Sequence, residues 1–138
     1  MEATQARPTK RSAEAILGYR NEKLIARHMR DCEVPEGLAH RRFVGLKQFM
    51  YVAATTPGRK VSSPGIDEIW HSFLLFSRDY REFCDEYLGR RVDHDPFEAP
   101  APGVYPETRA RAAEAFGSLD SEIWPTEGQA DCTSGCQD

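Results

Sequence analysis

From residue 66 onward the apolar positions follow a helical period. Ile66, Ile69, Trp70, Phe73 and Leu74 fall at i, i+3, i+4, i+7 and i+8, which is one stripe of an amphipathic helix. Ser63 before it supplies an N-cap and Pro64 a first-turn proline. Tyr80, Phe83, Cys84, Tyr87 and Leu88 repeat the spacing. Ser77 can cap this second run and Gly89 can end it in a left-handed conformation. A break at Ser77 predicts two packed helices with a very short connection, in preference to one rod of roughly 35 Å. After Gly89 the pattern is lost, and Val92, Asp93, His94, Asp95 and Pro96 read as a loop returning beside the pair.

The rest of the chain reads as packing around that pair. Residues 1–11 are polar and basic, the composition of a disordered tail. A weak helical pattern starts at Ser12, is weakened by Gly18, and continues through Leu24, Ile25, His28 and Met29 to about Asp31. Pro35 opens a further helix, with Leu38, Phe43, Leu46, Phe49, Met50 and Ala53 on its buried side and Arg41, Arg42 and Lys47 around the remainder. Residues 55–63 form a loop by their Pro, Gly and Ser content. Beyond His94 three prolines and a glycine exclude a helix, and one more helix opens at Tyr105 and Pro106 and stops at Gly117. Ile123 and Trp124 are an apolar clip in an irregular tail that ends in Cys132 and Cys136. Strand signals are confined to Val61 and residues 90–92. The expected fold is all-α: one compact domain of about five helices over residues 12–125, with the central pair, and a cysteine-containing C-terminal tail over residues 126–138.

Composition changes this picture little. The chain has 138 residues, 40% of them apolar and 29% charged, a profile that fits one soluble domain with a single core. No apolar run approaches a membrane span. The first residues carry Pro8, Lys10 and Arg11, unlike a secretory leader, so a cytoplasmic location is expected. Cysteines there act as thiols or ligands rather than disulfides. Net charge is −4 and uneven: residues 1–60 hold twelve Lys/Arg against six Asp/Glu, and the remainder six against sixteen. The basic residues are interspersed with acids, which fits two attracting halves of one domain better than a nucleic-acid face.

Two imidazoles stand out. His71 flanks the Trp70 stripe, and Asp67 four residues earlier can reach it on the same face and fix its tautomer. His94 returns in the loop. His71, His94, Cys132 and Cys136 offer two nitrogens and two thiolates, the donor set zinc prefers. Asp67, Cys84 and Asp93 are expected to orient those ligands or to replace one of them. The spacing is not that of a zinc finger, and the plain alternative is a polar terminus with two unengaged thiols. Cys84, in the middle of its stripe, reads as a buried inert thiol before it reads as a nucleophile. There is no phosphate loop, dinucleotide fingerprint, HExxH or GxSxG, so no reaction follows.

The central stretch also carries D-x-x-W-H (Asp67, Trp70, His71), Y-x-x-F-C-x-x-x-x-G (Tyr80, Phe83, Cys84, Gly89) and H-x-P (His94, Pro96). That pattern resembles the glycine-rich-domain-containing-protein-like family, an uncharacterised module, over most of residues 20–136. Members with WHxH and HH would have two further imidazoles where this chain has Phe73 and Asp93. The departure shifts weight from a histidine-only site toward the cysteine tail. The resemblance implies no activity. The resulting expectation is a small cytoplasmic module that binds a zinc-like ion through His71, His94, Cys132 and Cys136 and acts through a protein partner. The alternative is a metal-free protein-interaction module, and a metal- or cysteine-dependent hydrolase comes last.

Overall fold

The computed structural model describes residues 13–94 and 102–126. The tail of residues 1–11, the proline-rich loop and the terminal cysteines lie outside them. Among the described residues six α-helices follow in order: α1 (Ala13–Leu17), α2 (Glu22–Cys32), α3 (Glu36–Thr55), α4 (Pro64–Leu74), α5 (Ser77–Phe83) and α6 (Val104–Phe116). Residues Cys84–Leu88 extend α5 as one π-helical turn. No strand occurs among the described residues, so Val61 and residues 90–92 do not pair. Instead the Val61 N–H donates to Thr108 Oγ1 at 3.1 Å, and Arg90 donates to the Ala53 carbonyl at 3.0 Å.

The first helical pattern splits in two. Asn21 is the reason: its Oδ1 accepts from the Leu24 N–H at 3.1 Å and starts α2 as an N-cap, while its Nδ2 donates to Asp79 at 3.0 Å. Lys47, placed by the sequence on the outer side of α3, is instead 4% exposed. Its ammonium donates to the carbonyls of Leu17 and Tyr19 at 2.9 and 2.8 Å and lies 4.6 Å from the centre of the Phe43 ring. It therefore satisfies carbonyls left open at and just beyond the end of α1.

Helix α3 is the central post against which α1, α2, α4 and α6 pack. Its Phe43 meets Phe73 of α4 edge-on with centroids 5.8 Å apart, and Phe49 meets Trp70 at 5.2 Å. Tyr19, Phe83 and Tyr87 close the same aromatic cluster. Each such ring removed from water contributes roughly 1.5–3 kcal/mol. Gly45 lets α4 and the C-terminal segment approach α3, since a Cβ there would stand 2.5 Å from Ile123 Cγ2 and 3.1 Å from Ile66 Cγ1. Ile123 and Trp124 are more than a clip: they are 2% and 0% exposed, and Trp124 Nε1 donates to Gln48 Oε1 at 2.9 Å. Arg41 fixes that segment through Asp120 at 2.8 and 3.1 Å.

Candidate metal centre

Helix α4 begins as the sequence requires: Ser63 Oγ accepts from the Ile66 N–H at 3.4 Å, with Pro64 in the first turn. Ser63 Oγ also donates to the Ile123 carbonyl at 2.6 Å. The helix ends at Leu74, and α5 starts at Ser77. Ser77 is not the cap; Phe76 occupies the N-cap position, with no side-chain bond. The π turn then ends at Gly89, whose φ of 78° and bond from its N–H to the Cys84 carbonyl at 2.8 Å reverse the chain. The segment 90–94 runs from this reversal to His94.

Tyr80 holds that segment against α4. Its hydroxyl accepts from Trp70 Nε1 at 3.1 Å and donates to the Val92 carbonyl. Tyr80 is 5% exposed, and burial, with Cys84 nearby, pushes its pKa well up. The His94 ring stands 4.3 Å from the Trp70 ring and 4.6 Å from the His71 ring, centroid to centroid. His94 Nε2 lies 2.6 Å from Asp67 Oδ1, and His71 Nε2 lies 3.5 Å from Asp67 Oδ2. Donor atoms of the three residues all fall within 4.8 Å of one another. The His94 side chain is 9% exposed, whereas those of Asp67 and His71 are 40% and 50% exposed. The cluster therefore has one sheltered donor and two at the surface.

Of the other candidates, Cys84 and Asp93 are not among the converging donors. Cys84 is fully buried. Burial pushes its pKa up, against nucleophile chemistry. Asp93 is exposed and is not one of the converging donors. Cys132 and Cys136 lie outside the described residues. Asp67 occupies a more central place than an orienting partner of His71, because one carboxylate serves both imidazoles.

A second convergence, of His28, Cys32 and Glu68, was not visible in the sequence. His28 is fully buried. Its Nδ1 pairs with Ser72 Oγ at 3.0 Å and its Nε2 with Arg42 Nη1 at 3.0 Å. Arg42 Nη1 also donates to Glu68 Oε1 at 2.6 Å. The guanidinium already occupies the cation position, so this cluster is an internal clasp between α2, α3 and α4. Burial, then Arg42, lowers the His28 pKa to about 4, so the ring is neutral and accepts from Arg42.

A model of the UCP032817-like family, an uncharacterised one, matches residues 13–112. The chain belongs to the UCP032817-like family. This overturns the resemblance to the glycine-rich-domain-containing-protein-like family, to which nothing else points. The residues that carried that resemblance have local roles here: Trp70, Tyr80, Phe83 and Cys84 are core positions, and Gly89 is a positive-φ turn. Short motifs of such residues follow from packing two helices and a return loop. No curated protein and no solved structure matches the chain. Among the described residues no helix is long and apolar enough to cross a membrane.

Proposed function

We propose that this UCP032817-like protein binds one divalent transition-metal ion of the zinc class through His71, His94 and Asp67. The supporting observation is the convergence of the three donors, from α4 and from a loop 23 positions beyond His71, on one half-exposed point. Two imidazoles and a carboxylate suit zinc or ferrous iron. Ligands on such an ion stand about 3–3.5 Å apart at bond lengths of about 2.0–2.2 Å, so modest side-chain adjustment brings the group onto it. Three protein donors leave a coordination position open, the arrangement of sites that act on something rather than merely staple a fold. Cys132 and Cys136 are the candidates within the chain to fill it.

Titration of chelator-stripped protein with zinc, followed by calorimetry and metal analysis, tests this reading. One equivalent binds the wild type, and His71→Ala and His94→Ala each weaken binding at least tenfold. Failure of the wild type to take up zinc, iron or copper overturns the proposal. Cys132→Ser with Cys136→Ser separates a four-ligand site, which loses affinity, from an open three-ligand site, which keeps it.

A metal-free reading has one observation in its favour: His94 and Asp67 already bond directly at 2.6 Å. On that reading the pair clasps the return segment to α4, and the chain serves as an interaction module. The described surface gives that module little apolar area, since Val44 and Leu75 are its exposed large hydrophobic side chains.

A further inference from the structure

Beside the three donors an open groove of about 410 Å³ runs between the end of α4, the first turns of α5 and the return segment. His94 belongs both to the donor cluster and to the groove wall. Leu74, Tyr80 and Val92 give the groove an apolar side, and Ser77, Arg81, Arg91 and Asp93 give it a polar one. The guanidinium groups of Arg81 and Arg91 make no hydrogen bond or ion pair with any described residue, whereas that of their neighbour Arg90 is committed to the Ala53 carbonyl. Two arginines thus line the groove, and Asp93 is the one carboxylate among its described lining residues. The volume is in the range of small-molecule sites. Guanidinium groups at such a position match the planar, bidentate geometry of a carboxylate.

We infer that the groove receives a small organic carboxylate, held by Arg81 and Arg91, whose far end reaches the open coordination position at Asp67, His71 and His94. The inference rests on the metal site proposed above. The apolar side selects an organic anion over an inorganic one, because Leu74 and Val92 would contact a carbon body and gain nothing from phosphate. Arg81 and Arg91 position the anion, and the ion supplies the second anchor.

Calorimetric titration of the full chain with succinate, with and without bound zinc, tests this, and inorganic phosphate serves as the comparison anion. Succinate binds the zinc-loaded protein at least tenfold more tightly than the zinc-free protein. Arg81→Ala and Arg91→Ala each weaken it about tenfold while zinc affinity and melting temperature stay unchanged. Both side chains are exposed, so the variants fold. Three results overturn the inference and leave the metal site standing: zinc binds but succinate does not; succinate binds regardless of both arginines; or phosphate binds as tightly as succinate. A chain that takes up no zinc removes both proposals together.

Discussion

Replacing Tyr80 by Phe removes one oxygen and no carbon, so no cavity of consequence opens and the ring stays packed on Phe73. What changes is hydrogen bonding. Trp70 Nε1–H loses its acceptor and the Val92 carbonyl loses its donor. Trp70 and Val92 are 6% and 7% exposed, so water replaces the lost partner poorly. A buried polar group left unpaired costs about 1–3 kcal/mol, and two of them place the loss for Tyr80→Phe at about 2–4 kcal/mol. For a chain of this length that is a fall in melting temperature of roughly 10 °C. Urea unfolding followed by far-UV circular dichroism and tryptophan fluorescence measures it, with an unchanged m-value. Because Val92 lies two positions before His94, the same substitution also weakens zinc binding. A loss below about 0.5 kcal/mol would refute the reasoning, since it would mean that the hydroxyl does not hold the return segment.

Gly45→Ala adds a methyl group where Ile123 Cγ2 and Ile66 Cγ1 already stand; overpacking destabilises by about 1–3 kcal/mol and outweighs the roughly 1 kcal/mol of added helix propensity. Its urea midpoint falls, and a raised midpoint contradicts the close approach of α3 to α4. Arg42→Met leaves Glu68 and His28 without their shared donor and costs about 3 kcal/mol, measured in the same way. His28 is neutral in the fold, with a pKa of about 4 set by burial and Arg42 against the opposing charges of Glu68 and Asp31. Its contribution is complete above the unfolded value near 6.5 and is lost as pH falls toward 4. Wild-type stability should drop by about 3 kcal/mol from this group over that window, and His28→Asn should flatten that part of the profile.

The helical fold was legible because apolar stripes at period 3.6 mark buried faces whatever the partner is. Ser63, Pro64, Gly89 and Gly117 announced their boundaries for local reasons. Less legible features depend on contacts remote in sequence. Asn21 breaks the first helix through a cap that Asp79 supports from 58 positions further along the chain. Lys47 is buried because carbonyls just past α1 need a donor, which no periodicity records. Trp124 sits in a short irregular segment, yet Gly45 makes room for its neighbour. For the site, the i, i+4 spacing of Asp67 and His71 was readable, as was the return of His94. That Asp67 would serve both imidazoles required the geometry of the turn at Gly89. The Arg42 clasp had no sequence signal, because its four members come from three helices.

The central claim is that Asp67, His71 and His94 share one ion. Anomalous diffraction at the zinc edge, from crystals grown with zinc, tests it most directly. The account predicts one strong peak about 2.0–2.2 Å from a nitrogen of each imidazole and from an Asp67 oxygen. No peak at that point, with Asp67 still bonded directly to His94, would contradict it.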